Sequence, residues 1–413
     1  MALRTRHAAL LGTVGVLAFL AMGAPVSHAA DAPPPSIDMA TGKTMNEAIE
    51  FLNMEDYASA EATLAKLKMD KLSPYEHSRV EQILFQIAYQ QDKYEEARQH
   101  LMNSIQAGGL NEQEVSQNHY YIAQIYMQEE QWAKGAQALE DWFKTAPDPN
   151  SAAYYMLAIA YYQQNEVKKA IVPARKAVEL TDQPQASWIE LLVFLYIDQE
   201  DYKSAVPLLE RLTAMEPKKK TNWVQLSSVY QQLENYPQAL ATMELAYEAG
   251  LLDQDSDYRR LADMLAFNEV PYRCAQVLET GMQAKVIKAD MEAYHKLADC
   301  WTAAREFDKA LGPLEQAAAL SKNGDLYVRL AEVNMQREDW KSVSAALQKG
   351  LDKGGLNDIG YAQLLMGIAL YNAEKPKDAR TWFERAQKSD KHRKIASAYI
   401  QRIKSEASQG TGS

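Results

Sequence analysis

The sequence predicts an all-α fold, a solenoid of about ten stacked helix pairs closed by a C-terminal helix, and three observations predict it. An aromatic residue or its substitute stands three positions before a small residue ten times: Tyr57/Ala60, Tyr94/Ala97, Trp132/Gly135, Val167/Ala170, Tyr202/Ala205, Tyr236/Ala239, Tyr272/Ala275, Phe307/Ala310, Trp340/Val343 and Pro376/Ala379. The steps between the small residues run from 33 to 38, close to the ~34-residue unit of a helix-hairpin stack. Large and small side chains also alternate at fixed distances from these markers, and glycine pairs punctuate the helix ends.

The chain opens as an export signal would. Arg4 and Arg6 precede an apolar run from Ala8 to Ala24, followed by Pro25 and the small-residue site Ser27-His28-Ala29. A charged start, a short apolar core and such an end are the three parts of a secretory signal, which predicts residues 1–30 to be removed after Ala29 or Ala30 and the rest to be periplasmic. An uncleaved anchor is disfavoured because roughly 17 apolar residues broken by Gly12, Gly15 and Gly23 lie at the short limit for a span. No stable membrane span is expected after cleavage.

Residues 31–43 contain Pro33-Pro34-Pro35 and read as an extended linker. Thr44 is a plausible N-cap for the first helix, and the helical pattern fills 44–391. Thirteen residues before the marker stand Ile122, Leu157, Leu192, Leu226, Leu297 and Leu330, and one residue later come small residues such as Ala48, Ala123, Ala158, Ser227, Ala298 and Gly367. Aromatics follow at Phe51, Tyr126, Tyr161, Tyr196, Tyr230 and Trp301. Small residues let two helix backbones approach while the rings fill the space beside them. The second helices carry Leu64, Leu101, Leu139, Leu209, Met243, Leu314, Leu347 and Phe383 four residues after the marker. Gly108, Gly250 and Gly354 each supply a left-handed helix cap. Residues 392–404 read as a closing helix with a polar outer face, and 405–413 as a disordered tail.

Charge excludes nucleic acid and anionic lipid as partners. The formal charge is -11 and reaches -13 without residues 1–30, whereas such partners call for clustered Lys and Arg. The two basic runs, Lys218-Lys219-Lys220 and Lys388 to Lys394, read as solvated surface. The two cysteines, Cys274 and Cys300, lie 26 residues apart, which permits a disulfide in an oxidising compartment. Their positions beside Ala275 and Trp301 favour two buried thiols instead.

Enzyme chemistry finds no footing. Outside the signal, His77, His100, His119, His295 and His392 fall in different repeats by this reading, with no metal-ligand spacing, no phosphate loop and no nucleophile motif. No cofactor and no metal are expected.

These residues resemble the tetratricopeptide repeat family, most fully at Trp223, Leu226-Ser227, Tyr230, Tyr236, Ala239, Met243 and Ala246, and the pattern recurs over about 360 residues. Departures include Tyr89 and Leu265, shifted by one position, and Val167 and Pro376 in place of aromatics. The resemblance implies a right-handed superhelix whose first helices form a concave wall. The residues fifteen, eleven and eight before the marker would then face that groove: Tyr120, Gln124 and Met127, then Tyr155, Ile159 and Tyr162, then Glu190, Phe194 and Ile197, and beyond them Val224, Ser228 and Gln231. The stretch from Tyr120 to Phe194 is the candidate partner-binding site, suited to an extended peptide or a helix because rings supply contact area and amides pair with backbone. The Lys, Asn and Arg clamp with which some family members hold a C-terminal carboxylate is missing.

A narrower resemblance rests on Ala186-Ser-Trp-Ile-Glu-Leu-Leu-Val-Phe-Leu-Tyr196, Asn222-Trp-Val-Gln-Leu-Ser-Ser-Val-Tyr230, Leu245-Ala-Tyr-Glu-Ala-Gly-Leu-Leu252 and Val270-Pro-Tyr-Arg-Cys-Ala-Gln-Val-Leu-Glu279. These are similar to exported repeat proteins encoded beside TonB-type energy-transduction systems of Gram-negative bacteria. That implies a non-catalytic periplasmic scaffold for protein partners, TonB-complex components among them. The alternative is a scaffold for envelope polysaccharide assembly or export, its rings stacking on sugars.

Overall fold

The computed structural model describes residues 36–146 and 148–409. The expected export signal and the three prolines of the spacer lie outside the described residues. Those described fall into two compact units that divide after Ala146, so the run expected as one array is grouped in two, at the Ala146-Pro147 break.

The first unit holds three hairpins: α1 (Met39–Asn53) with α2 (Tyr57–Leu64), α3 (Pro74–Gln90) with α4 (Tyr94–Gln106), and α5 (Glu112–Gln128) with α6 (Trp132–Phe143). The second holds seven. They are α7 (Ser151–Gln163) with α8 (Val167–Glu179), α9 (Ala186–Asp198) with α10 (Tyr202–Met215), α11 (Lys220–Gln232) with α12 (Tyr236–Glu248), and α13 (Asp255–Phe267) with α14 (Pro271–Gln283). Then come α15 (Met291–Ala303) with α16 (Phe307–Leu320), α17 (Asp325–Gln336) with α18 (Trp340–Lys353), and α19 (Ile359–Asn372) with α20 (Pro376–Ala386), followed by the closing helix α21 (Arg393–Gln409). Within each unit every helix packs against the next, and the described residues contain no strand. The architecture is an all-α repeat.

The marker pairs set the register. The aromatic or its substitute opens the second helix of nine hairpins, and in α14 Tyr272 comes one place later behind Pro271. Three residues on, the small side chain is fully buried where the two helices cross, from Ala60 to Ala379. At Gly367 no side chain fits at all: a Cβ there would lie 2.6 Å from the Phe383 ring. Ser227 takes the same small position in α11 and donates from Oγ to the Ala239 carbonyl at 2.8 Å, so its buried hydroxyl is satisfied. In the first unit Ser78 and Ser104 donate to each other's carbonyls at 2.8 and 2.9 Å across α3 and α4.

Every hairpin turns through a residue with positive φ, and none of these is glycine: Glu55, Asp92, Glu130, Asn165, Glu200, Glu234, Glu269, Arg305, Glu338 and Glu374. The amides that follow close the helix end. Glu234 donates to the Gln231 carbonyl and Asn235 to the Tyr230 carbonyl, at 2.9 and 2.8 Å, which is the hydrogen-bond pattern of a Schellman cap. Gly108, Gly250 and Gly354 all take positive φ as expected, but Gly354, with φ 76° and ψ -169°, is extended rather than in the left-handed helical cap conformation.

Three local readings change. The first helix begins at Met39, not after Thr44, because the Asp38 carboxylate accepts from the Ala40 and Thr41 amides and caps it there. The last helix continues past Lys404 to Gln409, packing Ala396, Ile400 and Ile403 against Ala379 and Phe383. Cys274 in α14 and Cys300 in α15 are buried as expected, but they are joined as a disulfide, with Cα atoms 5.9 Å apart. The packing of α14 against α15 brings the two backbones within the narrow range that bridging needs, so the bond that the spacing permitted is present in place of two free thiols.

Candidate functional site

The first helices carry the residues chosen as a binding face, and the structure sorts them by depth. On α5, Tyr120 is half-buried with its ring 4.6 Å from Trp142 of its own hairpin. Met127 is a core residue: it is buried, and its sulfur lies 2.7 Å from where a Cβ on Gly135 would stand. Gln124 is half-buried, and its Oε1 is a buried acceptor with no hydrogen-bond partner among the described residues. Leaving such an acceptor unpaired costs about 1–3 kcal/mol.

On α7 and α9, in the second unit, the chosen residues come together. Tyr155 stacks on Trp188 with centroids 5.6 Å apart, and Tyr162 meets Phe194 edge-on at 5.3 Å. The two pairs form rungs between neighbouring first helices, one helical heptad apart on α7. Ile159, between the rungs, is buried and belongs to the core, not to the face. Tyr155, Tyr162 and Phe194 are each half-buried, so part of each residue remains open to solvent beside its ring contact. Burial pushes the Tyr155 phenol above its usual range, with Glu190 adding to the effect and a hydrogen bond with Ser187 opposing it; the ring stays neutral. Glu190 extends the face by an ion pair with Lys219, which also holds Glu216 at 2.9 Å just ahead of α11.

Trp188 was not among the residues picked from spacing, because it falls two positions before Glu190, off the four-and-three pattern. The signal that could have found it is the aromatic at nearly the same place one repeat later, Trp223. The basic run at Lys218–Lys220 is partly consumed by ion pairs: Lys219 as above, and Lys220 with Asp253 and Asp257.

The histidines need one correction. His77 and His100 lie in one hairpin, α3 and α4, and both face Glu81: His100 Nδ1 at 2.7 Å and His77 Nε2 at 3.6 Å. Asn103 Nδ2 donates to the same carboxylate at 3.3 Å, so buried Glu81 is held from two helices. Among the described residues no group of three or more such side chains is arranged to hold a metal ion. No described helix is long and apolar enough to cross a membrane.

A cleft of about 1330 Å³ lies elsewhere, in the first unit between α1, α3 and the start of α5. Its floor is Arg79, which donates to Gln82 at 2.7 Å, to the Tyr75 hydroxyl at 3.0 Å and to Glu114.

Residues 120–186 match the family model described as Tetratricopeptide repeat. Solved structures similar to this chain include the C-terminal part of a tetratricopeptide-repeat protein from Cytophaga hutchinsonii, 12% identical, covering 61% of this chain and 98% of its own, at a TM-score of 0.36. A tetratricopeptide repeat protein from Parabacteroides merdae is 14% identical, covers 62% and 98%, and scores 0.33. The type IV pilus biogenesis factor PilW is 15% identical, covers 53% and 97%, and scores 0.32. Nothing of those proteins' function transfers at such values. No curated protein matches the sequence.

Proposed function

We propose that this chain is an exported, non-catalytic adaptor of the periplasm that holds an extended segment of a protein partner against the α7–α9 face. The observation that carries the reading is the pair of aromatic rungs, Tyr155/Trp188 and Tyr162/Phe194, set on adjacent first helices. Rings already packed on one side offer contact area with little rotamer entropy left to lose, which is the character of an interface anchor. Helical-hairpin repeats use such surfaces for partners rather than for bond chemistry. Export is supported by the charged, apolar and small-residue order of the first thirty residues and by the Cys274–Cys300 disulfide, a bond that persists in oxidising compartments.

The partner we infer is a component of a TonB-type transport complex, since the stretches around Trp188, Trp223 and Cys274 are similar to exported repeat proteins of such systems. Affinity capture from a periplasmic extract tests this. The expected result is recovery of such a component by the parent protein and at least tenfold less by a Tyr162→Ala/Phe194→Ala variant. Equal recovery by both would overturn the site, and recovery of glycan in place of protein would overturn the partner class.

A further inference from the structure

The charge of this chain is not spread along it. Residues 36–146 hold 18 acidic and 9 basic residues, a net of -9, while residues 373–409 hold 10 basic and 5 acidic residues, a net of +5. Each end also presents a surface that fits the other's charge.

The acidic end carries the first-unit cleft. Arg79 within it is occupied by Glu114, Tyr75 and Gln82 and Asp38 caps α1, which leaves Glu47 and Glu50 against Lys43 in the lining. Glu47 and Glu50 are exposed, and Glu47 has only a 3.9 Å approach from Lys66. Beside these carboxylates stand exposed apolar groups, Met39 at 88% and Ile37 at 38%. A cationic segment bearing an apolar residue is what such a rim would hold.

The basic end presents that combination on the outer face of α21. Ala396, Ile400 and Ile403 turn inward, so the opposite side, with Lys394, Ile395 and Ala398, faces solvent beside Lys391 at the helix entry. Lys391 is 81% exposed and approaches the Asp358 carboxylate no closer than 3.9 Å, and Ile395 is 49% exposed. A helix that closes a repeat stack calls for a polar outer face; an exposed isoleucine among lysines is more than that role requires.

We propose that the cleft of one copy of this chain takes the α21 face of a second copy, so that molecules associate head to tail. The overall negative charge does not forbid it, because at ~0.1 M salt repulsion is screened beyond about 10 Å while opposite charges at contact are not. The contact joins two different surfaces, so each copy can take one neighbour in its cleft and offer its α21 face to another.

Sedimentation equilibrium of the purified protein across a concentration series tests the proposal. The expected result is an average mass that climbs above the monomer at ~50 mM salt and falls back at ~500 mM. Glu47→Lys/Glu50→Lys and Lys391→Glu/Lys394→Glu, all surface changes whose folding circular dichroism would confirm, should each weaken association at least tenfold. An equimolar mixture of the two variants should restore it, since each then offers the charge that the other lacks. A monomer at every salt and concentration overturns the proposal. Association that survives the single reversals, or is not restored by mixing, overturns it as well.

Discussion

Replacing Glu234 with glycine should stabilise the protein, an outcome opposite to that of most glycine substitutions near a helix. Glu234 sits at φ 57° between α11 and α12, exposed, while its amide and that of Asn235 close the helix end. An L-residue in this conformation costs about 1–2 kcal/mol through contact of its Cβ with the backbone. Glycine removes that cost but adds about 0.5–1 kcal/mol of chain entropy to be lost on folding. The difference spans about 0–1.5 kcal/mol and centres on a net gain of about 0.75 kcal/mol for Glu234→Gly. Glu234→Ala keeps the Cβ and should change little, and Glu234→Val should lose stability because a β-branched residue is worst there. Guanidinium denaturation reads this as a raised midpoint at unchanged slope for the glycine variant alone. A glycine variant that is no more stable than the alanine variant would refute the assignment of strain to this turn.

Further outcomes follow from the same reasoning. Replacing Cys274 and Cys300 with serine removes a cross-link over a sequence separation of 26, for which loop-closure entropy predicts a loss of about 3–4 kcal/mol; denaturation of the parent with and without reductant should reproduce it, and no difference would contradict a formed bond. Glu76 is held below the usual carboxylate range, first by the Asp38 amide at 2.8 Å and then by the Ser73 hydroxyl and amide. Its folded-state pKa is depressed, so its contribution is present above the unfolded value of about 4.3 and is lost as pH falls through the folded one. Melting temperature should therefore fall less steeply below pH 5 in Glu76→Gln than in the parent, and parallel profiles would exclude the linkage. At Gly324 an added Cβ would lie 2.1 Å from the Gly350 carbonyl oxygen, so Gly324→Ala should destabilise by at least ~2 kcal/mol, which urea titration can measure.

The hairpin register was legible because it depends on residue size at a fixed spacing. Ala60, Ala97, Ala170 and their equivalents could be placed at the helix crossings from the period alone, and Gly108, Gly250 and Gly354 at helix ends from their backbone freedom. The turns between paired helices were less visible. Tolerance of the left-handed conformation is usually signalled by glycine, and this chain puts glutamate there. Depth on the first helices was also hard to read: Met127 and Tyr162 hold the same repeat position, yet one fills the space left by Gly135 and the other meets Phe194 edge-on. The ring contact of Trp188 with Tyr155 and the approach of His100 and Asn103 to Glu81 escaped because they join two helices, whereas His77 and Glu81 are four apart on one helix and could have been paired from the sequence. The break after Ala146 was marked only by Pro147, read there as the end of one helix.

The α7–α9 face is tested most directly by photo-crosslinking in living cells. A photoreactive phenylalanine analogue at Phe194 should yield a discrete protein adduct that disappears when Tyr162 is also changed to alanine, and a control at exposed Lys203 on α10 should yield none. An adduct at Lys203 of equal intensity, or no protein adduct at Phe194, would contradict a partner held against the aromatic rungs.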